Sequence, residues 1–182
     1  MSAQLRELRD DPFELLLQYE DQLRAARTDA VAGQAEAWVG LGFRIGETWL
    51  VAPRADVREV IPPPPATRVP NARSWLRGVA NVRGELLAIV DLPDLLGLKR
   101  SDPHRSQRVL VLNSREVPAG FLVDEVVGYR QFGPGEQRNE MAASAQPFSP
   151  YLLGGFVREG QPWLAISLHK LADGEAFRTA AL

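Results

Sequence analysis

A repeat constrains this chain more than any other feature. Gly78, Leu87, Ala88 and Ile89 recur as Gly155, Leu164, Ala165 and Ile166. After a one-residue deletion, Asp91-Leu92 and Leu95 match Ser167-Leu168 and Leu171. Val57-Arg-Glu59-Val60 is echoed by Val123-Asp-Glu125-Val126, each following a hairpin pattern. Two copies are too few for a solenoid, which needs several stacked units to bury its core. A duplicated unit with several short strands and one short helix therefore implies two similar β lobes. Five short strands per copy are enough to close a small barrel and remove exposed sheet edges.

The strands are read from local pattern. Val39, Leu41, Phe43 and Ile45 alternate with Gly40, Gly42 and Arg44, the period of two expected of a strand. Gly46-Glu47 turns the chain and Thr48–Ala52 returns. Pro62 to Pro65 lack amide donors and cannot join a sheet interior. Gly78–Arg83 and Glu85–Val90 read as a hairpin around Gly84, after which Asp91 caps a short helix that Gly97 ends. Arg108–Leu112, Ala119–Val123 and Val126–Tyr129 read as strands. Residues 133–150 read as a polar segment with a turn of helix near Met141. Leu152–Val157 and Trp163–Ser167 form a last hairpin, and a short helix runs to Asp173. The division is a helical leader (1–37), a β domain (38–174) and a C-terminal tail (175–182). In the leader, Asp11, Pro12 and Glu14 form a capping box ahead of Phe13, Leu16, Leu17 and Leu23 at helical spacing.

Composition removes several chemistries. The 182 residues include no Cys and only two His, His104 and His169. That excludes a disulfide scaffold, a thiolate centre and a Cys nucleophile, and leaves no multi-His metal site. Neither a metal nor a cofactor is expected. The 21 basic residues are interspersed among 23 acidic ones for a net charge of −2, without the basic run that tracks phosphates, so nucleic acid is not expected as a partner. No apolar run reaches the ~20 residues that span a bilayer, and no signal-type block opens the chain. Direct membrane insertion is therefore not expected, and the expected location is the cytoplasm.

Gly40-Leu-Gly42-Phe-Arg-Ile-Gly46 sits in a strand pattern that leads into no helix, so it lacks the setting of a phosphate-binding loop. Ser106 beside His104 is explained by a polar linker. Asp124-Glu125 and Asp91 could supply an acid/base pair, but neighbours on a strand face opposite sides and Asp91 already caps a helix. Trp38, Trp49 and Trp163 read as core, whereas Trp75 could lie at a partner surface. Asn81-Val-Arg83-Gly84-Glu85 places an Arg at a hairpin tip, where its guanidinium is available to a carboxylate or a partner.

Taken together, Val57-Arg-Glu59-Val60-Ile61, Val69-Pro70, Gly78-Val-Ala-Asn-Val-Arg-Gly84, Ala88-Ile-Val-Asp-Leu92, Gly120-Phe-Leu-Val-Asp-Glu-Val126, Tyr151-Leu-Leu-Gly-Gly155 and Leu164-Ala-Ile166 resemble the CheW-like family of chemosensory adaptors over about residues 38–174. The Pro12-Phe-Glu-Leu-Leu-Leu17 arm is similar to the PilI-type branch that serves type IV pilus twitching. The resemblance implies a mainly β fold of two intertwined five-stranded SH3-like barrels. It implies a non-enzymatic protein that couples methyl-accepting chemoreceptors to a CheA-type histidine kinase and is recruited to membrane-associated receptor arrays. The kinase regulatory domain would contact the first lobe at Val57, Glu59, Asn81, Arg83, Gly84 and Glu85, with a Glu59–Arg83 ion pair. The receptor's cytoplasmic tip would enter a groove near Val123 and Val126. Ser167 stands where many members have Asp, a change of cap chemistry. The alternative reading is a β-barrel ligand-binding module or a small enzyme of unknown substrate.

Overall fold

A computed structural model describes residues 37–99, 102–138 and 143–180. Residues 1–36 of the expected helical leader, and Met141 and Ala142 of the expected turn of helix, fall outside that description, whereas Ala143 starts a 3-10 segment. From Trp38 onward the chain forms one compact unit.

The element order is β1 (Trp38–Ile45), β2 (Thr48–Pro53), a 3-10 turn (Arg54–Asp56), β3 (Val57–Ile61), β4 (Leu76–Val82), β5 (Glu85–Asp91) and α1 (Leu92–Leu95). It continues with β6 (Arg108–Leu112), β7 (Ala119–Val123), β8 (Glu125–Phe132), β9 (Gln137–Arg138), β10 (Leu152–Arg158), β11 (Gln161–Ile166), α2 (Leu168–Asp173) and α3 (Glu175–Arg178). Further 3-10 turns cover Pro134–Glu136 and Ala143–Tyr151.

The strands make two sheets, ordered β8-β1-β2-β11-β10-β9 and β3-β6-β7-β5-β4. Position by position, β8 matches β3, β1 matches β6, β2 matches β7, β11 matches β5 and β10 matches β4. The matching central pairs, β2–β11 and β5–β7, are both parallel. Each sequence repeat therefore donates its leading hairpin to the sheet built by the other repeat. That exchange makes the barrels intertwined, and neither lobe is a sequence half. The six-stranded lobe adds to the expected five strands only the two-residue β9.

The register also realigns the repeat. Gly78 pairs with Ile89, and Gly154 pairs with Ala165, each beside a bulge and each at positive φ, 141° and 158°. Gly154, not Gly155, is thus the counterpart of Gly78, and no deletion separates it from Ser167. The second echo shifts as well. Val57 and Val126 each pair just before the bulge of their strand, with Leu112 and Phe43 respectively. Val57 therefore matches Val126, while Val123 ends β7.

Both faces of each sheet are covered. One alternating set, including Leu41, Phe43, Leu50, Leu110, Leu112 and Ile166, fills a core common to the two lobes. The opposite set fills a private core in each lobe. Phe148 and Ala145, in a segment that reads as polar, are almost fully buried in the common core. Trp75 is buried there too, stacked on Phe177 of α3 with ring centroids 5.8 Å apart, so it is a packing residue and offers no partner surface. Trp38 and Trp49 are half-buried against the private core of the six-stranded lobe.

Candidate functional site

The Asn81–Glu85 hairpin tip is built from its own residues. Val82 pairs with Glu85, which leaves Arg83 and Gly84 as a two-residue turn with φ of 53° and 86°. Positive φ at both positions is what the right-handed twist of the strands demands of a tight turn. Gly84 meets that demand at no steric cost, and its amide donates to Asn81 Oδ1 at 2.9 Å. Asn81 and Gly84 thus hold the turn, and Arg83 projects from it with a side chain 80% exposed.

Two ion pairs then join this tip to β3. Arg83 Nη2 lies 3.0 Å from Glu59 Oε2, the expected pair. Arg58 Nη2 lies 2.7 Å from Glu85 Oε2, a second pair not expected from the sequence. β3 and β4 are the two edges of the five-stranded sheet. The pairs link β3 to the tip of the β4–β5 hairpin, and Ile61 at the end of β3 packs on the Ala80 and Val82 cluster. On the same strands, Val60 of β3 and Leu86 of β5 are exposed large hydrophobics at 38% and 63%. Both were missed in the sequence. Leu86 and Leu87 adjoin in one strand, so one of them had to face outward, and nothing in an apolar pair says which.

Two expected contact residues are withdrawn. Val57 is 8% exposed and Val123 is 1% exposed, both inside the common core, so neither presents a side chain to a partner. Val126 is half-buried against that same core. It lies on β8 in the six-stranded lobe, away from the strands that carry Glu59 and Arg83. The structure therefore gathers Glu59, Asn81, Arg83, Gly84 and Glu85 at one tip and leaves Val126 on another sheet.

The acidic residues considered for catalysis have structural partners. Asp124 Oδ2 accepts from the Gly46 amide at 2.6 Å, and Asp124 Oδ1 lies 3.8 Å from His104 Nε2. Glu125 accepts from Arg44 Nε and Nη2 at 3.2 and 3.0 Å. Asp91 caps α1 through the Asp94 amide at 3.2 Å and faces Arg77 at 3.4 Å. Ser167 caps α2 through the Lys170 amide at 3.3 Å, so the Asp-to-Ser change leaves the cap in place.

A tight carboxylate–guanidinium pair lies in the six-stranded lobe. Arg158 Nε and Nη2 donate to both oxygens of Glu136 at 2.6 and 2.9 Å. That hydrogen-bonded pair, helped by the Gly133 amide, lowers Glu136 from 4.5 to about 2. The same pairing raises Arg158 above its ordinary value. Arg158 also donates to the Gln131 carbonyl and lies over the Phe132 ring, 4.6 Å from its centroid.

A cavity of about 460 Å³ opens in the five-stranded lobe between Pro63, Pro64, Arg68, Arg77, Ile89 and Leu122. Its lining holds no carboxylate, imidazole or thiol, so it offers no general base. Among the described residues, no three or more His, Cys, Asp or Glu cluster as a metal site would require, and no helix is long and apolar enough to cross a membrane.

Residues 39–176 match the CheW-like domain family. The chain is 39% identical over 173 residues to Protein PilI of Pseudomonas aeruginosa, covering 94% of this chain and 97% of that protein. It is 29% identical over 126 residues to the chemotaxis protein CheW of Helicobacter pylori, covering 69% of this chain and 70% of that one. Its fold is similar to the crystal structure of the scaffolding protein TtCheW from Thermoanaerobacter tengcongensis, with a TM-score of 0.66 at 18% identity over 77% of this chain and 95% of that one.

Proposed function

The chain belongs to the CheW-like domain family, and from that membership we propose that it is a non-enzymatic adaptor coupling methyl-accepting chemoreceptors to a CheA-type histidine kinase. Its similarity to PilI over nearly the whole length favours a system that controls type IV pilus twitching. The adaptor works in the cytoplasm and reaches membrane-associated arrays through its partners.

The observation that carries this reading is the β3–hairpin tip. Glu59 holds an exposed Arg83, and Val60 and Leu86 are exposed on the strands that flank the tip. A guanidinium presents a rigid fork of donors suited to a partner carboxylate, and the apolar neighbours supply the water-excluding centre that stable interfaces need. The kinase regulatory domain docks on this tip, and the receptor tip docks near Val126. Such a protein transmits a signal only as far as it binds the states of its partners differently.

The test is bio-layer interferometry of the chain against a CheA-type regulatory domain and a receptor cytoplasmic tip. Dissociation constants of about 1–100 μM are expected for each. Absence of binding to both, with a CheW of known competence binding in parallel, overturns the reading.

A further inference from the structure

The two short helices that follow the duplicated hairpins are capped by different chemistry. At α1 the carboxylate belongs to the helix's own cap residue, Asp91. At the matching place before α2 stands the uncharged Ser167, and the carboxylate comes from elsewhere in the chain. Asp56 Oδ2 accepts from Ser167 Oγ at 3.1 Å and from the Leu168 amide at 2.8 Å, with Asp56 only 7% exposed.

Asp56 closes the 3-10 turn between β2 of the six-stranded lobe and β3 of the five-stranded lobe. That turn is gripped from its other side by Asn113, just past the end of β6. The Asn113 amide donates to the Asp56 carbonyl at 2.9 Å, and the Asn113 side chain donates to the Ala55 carbonyl at 3.0 Å. So α2 holds Asp56 by its side chain while the five-stranded lobe holds the same turn by its backbone. The next residue, Val57, starts β3, and two residues further Glu59 engages Arg83.

We propose that Asp56 is a positioning residue: it ties the start of α2 to the start of β3 and thereby sets the edge strand from which Glu59 reaches the Arg83 tip. The importance of that edge for partners rests on the adaptor reading above. A carboxylate at position 167 would cap α2 from the helix's own cap residue, as Asp91 caps α1. Placed at position 56, the same charge satisfies the cap and crosses between lobes. A buried carboxylate is tolerated only where donors surround it, and both donors to its side chain come from the beginning of α2.

The experiment removes the carboxylate from position 56 and restores one at position 167. Asp56→Ala removes both the cap partner and the tie, and its melting temperature falls by about 4–8 °C. The double variant Asp56→Ala/Ser167→Asp returns a carboxylate to the helix start and leaves the turn with no polar side chain to meet it. Its melting temperature recovers most of that loss, while amide exchange of residues 57–61 stays about tenfold faster than in the parent. If exchange recovers together with melting temperature, Asp56 is merely a displaced cap and the proposal fails. Asp56→Asn keeps an accepting oxygen and the size of the side chain, so it tests the same point should the alanine variants not fold. It gives exchange about threefold faster over the same residues, and unchanged exchange overturns the proposal. Exchange is read without any partner, so absence of kinase or receptor binding by the parent sinks the adaptor reading without touching this result. Where the parent binds, the double variant binds the regulatory domain about threefold or more weakly.

Discussion

The two lobes share a strand order and differ in what fills and fastens them. The private core of the six-stranded lobe is aromatic: Phe132, Phe156 and Trp163 are buried, with Trp38 and Trp49 packed against them. Its hairpin arginine, Arg158, lies over Phe132 and is clamped by both oxygens of Glu136. The private core of the five-stranded lobe is aliphatic and small, made of Ala80, Val82, Leu87, Ile89, Val109, Val111 and Leu122. Its hairpin arginine, Arg83, meets a single strand and faces solvent. One duplicated frame thus carries two designs. Large stacked rings and a clamped arginine fix one lobe, whereas the other closes with side chains that remain on show.

The widest gap between the lobes should appear in their cores. Phe132 is 1% exposed and stacks on Phe156 with centroids 4.4 Å apart and planes at 13°. Phe132→Ala should cost about 3–5 kcal/mol, whereas the matched truncation Ile89→Ala in the aliphatic core should fall toward the lower end of about 2–5 kcal/mol. Urea denaturation of both variants measures this. Equal shifts in midpoint would show that the aromatic core brings no special stability.

The matched bulge glycines give a second contrast, with the sign reversed in favour of the five-stranded lobe. A Cβ on Gly78 would lie 2.3 Å from the Thr67 carbonyl oxygen, in the segment that bridges to Val79 at the β4 edge. A Cβ on Gly154 would meet nothing within 4 Å. Both positions have positive φ. Gly78→Ala should therefore cost about 3 kcal/mol or more, from clash and backbone strain together, and Gly154→Ala about 1 kcal/mol from strain alone. Similar melting temperatures for the two variants would refute the close approach of Thr67.

Gly154 also shows where the sequence stops being legible. The strands other than β9, the hairpin tip and the cap at Asp91 could be anticipated from local chemistry, and the Ser167 cap and the Glu59–Arg83 pair by family resemblance. The register could not. Period-two alternation marks a strand that is wet on one face, but here both faces are covered, one by the common core and one by a private core. In a run such as Leu87–Val90 a one-residue slip changes nothing visible in the letters, so Gly155 looked like the partner of Gly78. The same cause hid the burial of Val57 and Val123. Nor does the order of strands along the chain say that leading hairpins are exchanged between repeats. That choice is made by long-range packing. Arg58–Glu85 was missed for a different reason: strand charges pair across a closure that only the folded sheet creates.

Acid should separate the two arginine contacts next. Glu136 is held at about 2 against an ordinary 4.5 by Arg158 and the Gly133 amide. A depressed carboxylate adds stability above its unfolded value and loses that contribution as pH falls toward its folded value. The contribution of this clamp is therefore present above pH 4.5 and fades between 4.5 and about 2. Glu136→Gln should flatten the fall of melting temperature across that window while leaving the tip residues untouched. An acid limb parallel to that of the parent would mean the clamp does not tie down the lobe.

The smallest effect on stability should come from Arg83, the residue at the centre of the proposed interface. The Arg83 side chain is 80% exposed and Glu59 opposite it 21% exposed, so water screens the pair and its loss should cost about 0–1 kcal/mol. The turn itself should survive, because Gly84 and Asn81 keep their hydrogen bond without the guanidinium. Arg83→Ala should thus melt within about 2–3 °C of the parent. Its affinity for the kinase regulatory domain should nonetheless fall about tenfold or more, the cost typical of a central arginine at an interface. Arg58→Ala removes the neighbouring pair, which lies at similar exposure on both partners, 36% and 42%. It should change stability as little, and it should weaken binding less than Arg83→Ala, since Arg83 stands furthest out. A purely structural Arg83 predicts the opposite pattern: a clearly lower melting temperature, with normal affinity in the fraction that remains folded. Measuring melting and affinity on the same preparations of both variants separates the two. The outcome that breaks the contrast between lobes is a loss of stability in Arg83→Ala as large as that in Glu136→Gln, for it would make the exposed tip a clamp like the Arg158–Glu136 pair.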